Sequence, residues 1–125
     1  MRRTVLVVDD SATVQASIDF TLTQEGYPVV KAENGKEALQ LLVQLGSEGR
    51  ELGMIITDVN MPVMDGISFI QEVKRTQFRF TPILVLTTES EESKKLAGRN
   101  AGASGWLVKP FRPEQLLGVL ARFAE

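Results

Sequence analysis

The chain has 125 residues, 43% of them apolar, and its 14 basic and 16 acidic side chains leave a net charge of −2; this suits one domain over residues 1–125 with its own core. It contains no cysteine and no histidine, which excludes disulfides, thiol chemistry, a Ser-His triad, a histidine base and a Cys/His zinc site. The basic residues are scattered (Arg2-Arg3, Lys74-Arg75, Lys94-Lys95, Arg99, Arg112) and no apolar run nears the ~20 residues a bilayer requires, so neither a nucleic-acid nor a membrane partner is expected.

The first apolar run, Thr4-Val5-Leu6-Val7-Val8, reads as a strand and stops at Asp9-Asp10. Met1-Arg2-Arg3 precedes only this short apolar run, which breaks at two acids, so a signal peptide is not expected and a cytoplasmic location is the expectation. Ser11 can cap a helix over residues 12–25, where Val14, Ile18 and Leu22 recur at steps of four, and Gly26 can close it. Residues 29–33 read as a second strand of mixed polarity, followed by a helix over 36–45 with Ala38, Leu39, Leu42 and Val43 on its apolar face. Gly46-Ser47-Glu48-Gly49 reads as a flexible helix exit.

The third strand, Met54-Ile55-Ile56-Thr57, stops at Asp58. Asp65-Gly66 reads as a turn and helix start, with Ile67, Ile70 and Val73 marking the helix face to residue 75. Residues 77–81 read as an extended loop, in which Phe78 and Phe80 are expected to pack on the domain. The fourth strand, Ile83-Leu84-Val85-Leu86, ends in Thr87-Thr88-Glu89, and Thr88 with Glu91 fits a capping box for a helix over 91–101, with Ser90 as rival cap. Leu96, Ala97 and Ala101 give that helix a weak stripe. The fifth strand, Trp106-Leu107-Val108, ends in Lys109-Pro110, an X-Pro bond that can be cis and aim the lysine inward. Pro113 suits the first position of a last helix faced by Leu116, Leu117, Leu120 and Ala121.

Five strand-helix units imply a doubly wound α/β fold with a parallel sheet and helices on both faces. Runs one, three and four are apolar throughout, as strands buried on both faces should be; two and five are mixed, as edges are. The order 2-1-3-4-5 follows, placing Asp9, Asp10 and Asp58 together at the carboxyl edge of the sheet. Like charges so grouped are costly without a cation or phosphoryl group. Asp58 is the candidate nucleophile, a buried carboxylate able to form an acyl phosphate. Asp9 and Asp10 are the candidate Mg²⁺ clamp, two acids where a helix cap needs one. Lys109 is a candidate charge partner for a phosphoryl group and Thr87 a candidate hydrogen-bond donor to it.

Together, Val8-Asp9-Asp10-Ser11, Asp58-Val59-Asn60-Met61-Pro62-Val63-Met64-Asp65-Gly66, Thr87 and Lys109-Pro110-Phe111 resemble the receiver domain of bacterial two-component response regulators, in particular stand-alone chemotaxis receivers of the CheY type. The 2-1-3-4-5 flavodoxin-like order is well known for that type and is no independent discovery. The resemblance implies that Asp58 accepts a phosphoryl group from a (CheA-like) sensor histidine kinase. It implies direct Mg²⁺ ligation by Asp10, Asp58 and the Asn60 carbonyl, with Asp9 acting through water, and phosphoryl contacts from Thr87 and Lys109. Inward motion of Thr87 would draw the aromatic at position 106 and alter the surface of the fourth helix, fifth strand and fifth helix. Asn60 and Glu89 would tune the lifetime, and fast self-dephosphorylation is expected. The implied partners are that kinase, a downstream target such as a flagellar motor switch, and an accessory phosphatase, with the chain itself a monomer that is no enzyme beyond self-phosphorylation and self-dephosphorylation. Trp106 departs from the usual Tyr or Phe, and Thr88 from a small residue that would leave Asp58 more open.

Four rivals compete with this reading. A receiver-like scaffold that binds without phosphorylation would typically have lost an acid or the lysine, and none is missing. A phosphate sink or relay intermediate outside chemotaxis would use the same residues. A haloacid-dehalogenase-type phosphatase would need an acid at position 60, which is Asn. A flavin module would want a hydroxyl- and glycine-rich loop where this chain has acids.

Overall fold

The computed structural model describes residues 2–88 and 92–124. The elements run β1 (Thr4–Val8), α1 (Ala12–Gln24), β2 (Val29–Ala32), α2 (Gly35–Ser47), β3 (Leu52–Asp58), α3 (Gly66–Val73), β4 (Ile83–Thr88), α4 (Glu92–Ala101), β5 (Gly105–Lys109) and α5 (Pro113–Phe123). The strands form one parallel sheet in the expected order, β2-β1-β3-β4-β5. Every residue of β1 and β3 is buried, whereas β2 buries only Ala32 and β5 is half-buried along its length. Apolar runs therefore fill the sheet centre, where burying each large aliphatic side chain contributes about 1.5–3 kcal/mol.

Strand alternation divides the core in two. Leu6, Val8, Ile55, Ile83 and Val85 pack with Leu42, Phe69, Ile70 and Val73 under α2 and α3. Val5, Val7, Met54, Ile56, Leu84 and Leu86 pack with Ile18, Leu22, Leu116 and Leu120 under α1 and α5.

The helix ends follow local chemistry. The Ser11 hydroxyl accepts from the Val14 amide at 3.2 Å, and Gly26, at φ +87°, takes the left-handed turn past the end of α1. Asp65 accepts from the Ser68 amide at 2.8 Å to start α3. Pro113 opens α5, and the Gln115 side chain accepts from the Arg112 amide at 2.8 Å. Of the capping box expected at Thr88 and Glu91, Glu91 lies outside the described residues, as does the rival cap Ser90.

Several local expectations are corrected. The second helix runs through Gly46 to Ser47; a Cβ on Gly46 would lie 2.5 Å from the Gln77 amide nitrogen, so this glycine serves close packing and does not end the helix. Residues 76–81 are wound into turns by Arg79 N–H to Thr76 O and Thr81 N–H to Phe78 O, and are not extended. Phe78 is buried as expected, but Phe80 is 85% exposed, its ring touched by the Arg79 guanidinium at 5.0 Å. Val43, Leu96 and Ala121 point to solvent, because the apolar stripes of their helices are narrower than the spacing implies. The Lys95 side chain is only 16% exposed and lies against Trp106.

Candidate functional site

The sheet register sets the site before any side chain is considered. Val8 pairs with Thr57, Asp58 with Leu86, and Thr88 with Lys109. Asp9 and Asp58 thus leave neighbouring strands side by side, and Lys109 ends a strand two places further on. Asp9, Asp10 and Asp58 each offer a carboxylate oxygen within 4.8 Å of the others. Asp9 is fully buried, Asp58 is 9% exposed and Asp10 faces solvent. The lysine is turned toward the acids: its Nζ lies 3.2 Å from Asp9 Oδ2 and 3.2 Å from Asp58 Oδ2, and the Lys109-Pro110 bond is cis.

The buried acids are held from several directions. Asp9 Oδ1 accepts from the Ser11 amide at 2.9 Å. Its carbonyl accepts from the Gln15 side chain at 2.7 Å, and the same Nε2 donates to Ala32 O at 2.6 Å, tying α1 to the ends of β1 and β2. Asp58 Oδ1 accepts from the Val59 amide at 2.7 Å, and the Asn60 amide approaches it at 3.4 Å. Gly66 abuts the Asp58 carbonyl so closely that a Cβ would collide with it, and its amide donates to Val59 O at 2.8 Å. In the connecting loop Val63 sits at φ +70° inside a turn closed by Met64 N–H to Pro62 O at 2.7 Å, a strained geometry for a β-branched residue. Met61 and Met64 pack against the α2/α3 core.

Burial raises the pKa of Asp58, and the Asp9 charge adds to this; Lys109 and the Val59 amide act in the opposite direction. Burial alone would lower Lys109, but the two carboxylates outweigh it and hold the ammonium above its ordinary pKa. Three acids against one ammonium leave a deficit of positive charge. The donor set is all hard oxygen, which fits Mg²⁺ with water and phosphoryl oxygens completing its shell.

The other face of the strand ends is built differently. Thr87 is 1% exposed and its hydroxyl has no hydrogen-bond partner among the described residues. An unsatisfied buried hydroxyl costs about 1–3 kcal/mol, so a group that accepts its proton would be welcomed there. Trp106 pairs in register with Val85, on the same sheet face as Thr87 and one strand over. It is half-buried, with Lys95 Nζ 6.0 Å and the Arg99 guanidinium 5.7 Å from its ring. Thr88 is the exposed end of β4. Asn60 is exposed at the mouth, its Oδ1 accepting from Lys94 Nζ at 3.2 Å. Glu89 lies outside the described residues.

Sequence reasoning brought Asp9, Asp10, Asp58, Thr87 and Lys109 to one edge. It missed Gln15 and Lys94, whose roles arise only when separate elements meet. It read Gly66 as a turn residue, and the Asp-Gly pair was the available signal for the close approach that the structure requires.

The response regulator receiver domain model matches residues 5–121. A chemotaxis protein CheY homologue of Campylobacter jejuni is 37% identical over 114 residues, covering 90% of this chain and 85% of the relative. The structure of the chemotaxis response regulator CheY4 of Vibrio cholerae superposes with a TM-score of 0.85 at 46% identity, over 98% of both chains. The receiver domain of the sensor histidine kinase PA1611 of Pseudomonas aeruginosa, solved with a magnesium ion coordinated in its active site cleft, gives a TM-score of 0.85 at 27% identity, over 99% of this chain and 98% of that one. Other curated relatives are transcriptional regulatory proteins, of whose length this chain spans about half. The chain belongs to the response regulator receiver domain family.

Proposed function

We propose that this chain is a single phosphoacceptor switch over residues 1–125, taking a phosphoryl group on Asp58 from a sensor histidine kinase and signalling by protein contact. The observation that carries this reading is Lys109 bridging two buried carboxylates beside a third, with a threonine hydroxyl that has no partner among the described residues at the end of the intervening strand. An Asp58 carboxylate oxygen attacks phosphorus, the bond to the donor's imidazole nitrogen breaks, and the donor leaves with that electron pair. Lys109 compensates charge on the phosphoryl oxygens, and the Thr87 hydroxyl gains an acceptor it otherwise lacks. Asp10, Asp58 and the Asn60 carbonyl would hold Mg²⁺, with Asp9 behind them; the ion supplies the positive charge that this acid cluster and an incoming phosphoryl group both need.

Readout follows the strand register. Motion of Thr87 toward the phosphoryl group loosens the space beside Trp106, and the α4-β5-α5 surface changes with it. Asn60 and Glu89 tune hydrolysis by ordering water. The CheY-type relatives favour a chemotaxis pathway with a motor-type target and an accessory phosphatase; a phosphate sink is the alternative that uses the same chemistry.

The test is intact-mass spectrometry after incubation with acetyl phosphate and Mg²⁺. A single phosphoryl adduct, lost in Asp58→Asn and on removing the metal, is expected. Turnover of phosphate esters without an adduct, or an adduct that survives Asp58→Asn, would overturn the reading.

A further inference from the structure

Lys94 stands in the first turn of α4 and reaches over the site to Asn60, its Nζ 3.2 Å from the side-chain oxygen. Asn60 follows the acceptor by two residues, and its backbone amide already leans toward Asp58 Oδ1. Its side chain therefore emerges at the mouth of the acid cluster, where water must enter to reach a phosphoryl group on Asp58. Lys94 is only partly buried and sits on the helix with the fewest buried residues, so its ammonium is not a structural necessity of the core.

The chemistry of an amide decides what this contact does. Hydrolysis of an acyl phosphate requires a water whose oxygen lone pair points at phosphorus. Water oxygen attacks, the phosphorus–Asp58 oxygen bond breaks, Asp58 recovers its electron pair as carboxylate, and the water's protons pass to the departing phosphate and solvent. A water held for this attack must donate a hydrogen to its holder, leaving the lone pair free. On Asn60 the acceptor is Oδ1; the NH₂ group would bind the lone pair that must react. An ammonium on Oδ1 takes one of its two lone pairs, draws electron density from the other and so weakens its hold on a water.

We propose that Lys94 is a positioning residue that prolongs the phosphorylated state by engaging the Asn60 side-chain oxygen. The proposal rests on Asp58 as acceptor. It also couples α4, an element of the output surface, to the rate at which the signal decays: a partner that draws Lys94 away shortens the lifetime.

The experiment loads the protein with acetyl phosphate and Mg²⁺, removes the donor, and follows the adduct by intact mass. Lys94→Met is expected to shorten the adduct's lifetime roughly 2–10-fold, the range for loss of one hydrogen bond of ordinary net strength. Lys94→Arg, which keeps donor and charge, should restore it. In an Asn60→Ala background the Lys94→Met change should have no further effect, which a general surface-charge role would not produce. An equal or longer lifetime in Lys94→Met, or a Lys94→Met effect that persists without Asn60, overturns this proposal while leaving Asp58 as acceptor. Absence of any adduct in the unaltered protein overturns both. Unchanged thermal unfolding of Lys94→Met confirms that its lifetime reports the site.

Discussion

On one face of the sheet edge, Asp9 and Asp58 are fixed by backbone amides, by Gln15 and by Lys109. On the other, the Thr87 hydroxyl is buried without a partner among the described residues and Trp106 is half-buried beside two cations of α4. The helices covering that second face repeat the contrast. α3 buries Gly66, Phe69, Ile70 and Val73, whereas α4 buries Gly98 alone. Chemistry needs groups held in place; readout needs groups with two places to go. The same sheet supplies both: its strand ends hold the acids on one side, and on the other, beside the well-packed α3, they leave an unmet hydrogen bond among the described residues and a lightly anchored α4.

The comparison can be broken at its strongest point first. Asp58→Asn should abolish the phosphoryl adduct completely, read by intact mass. Lys109→Met should slow adduct formation roughly 100-fold, the scale for losing one charge-stabilising group. It should also lower metal-free stability by about 1–3 kcal/mol, since two buried acids lose their counter-charge; added Mg²⁺ should recover part of that in denaturant titrations.

Thr87→Val tests the other face. Removing an unsatisfied hydroxyl while keeping its shape should leave stability unchanged or raise it by about 1 kcal/mol, in contrast to the loss at Lys109. A clear destabilisation would mean that the hydroxyl is satisfied in the resting protein. Smaller still is the expected difference in hydrogen exchange: α4 amides should exchange faster than those of α3, and equal protection would remove the contrast between the helices.

The pH dependence follows from Asp58. Because its pKa is raised on folding, the folded chain holds a proton that the unfolded chain has released. In metal-free buffer, stability should fall as pH rises from the unfolded-state pKa through the folded one. Asp58→Asn should flatten that acidic slope. Lys109, raised on folding, contributes stability that is fully present below its unfolded-state pKa and is lost as pH rises through the folded value.

Much of this was legible in the sequence because buried parallel strands have no polar alternation to blur their ends. The apolar runs of β1, β3 and β4 stop at the carboxyl edge of the sheet, and the residues at those stops are the buried polar Asp9, Asp58 and Thr87. What escaped depends on distance between elements. Gln15 matters because the end of β2 arrives within reach of its amide, and Lys94 because α4 passes over the β3-α3 loop. Gly46 was misread because a glycine that admits a neighbouring side chain has the same letter as one that ends a helix. Phe80 was misread because an aromatic in a loop gives no sign of which way its turn faces.

A phosphoryl group fixed beside the acids on one face would be read through Thr87 on the other. Trp106 is the only tryptophan in the chain, so its fluorescence reports that transfer directly. With Mg²⁺ and a phosphoryl mimic, the unaltered protein should change its emission, Asp58→Asn should not, and Thr87→Val should bind the mimic with a diminished change. An emission change of the same size in Thr87→Val, or any change in Asp58→Asn, would contradict it.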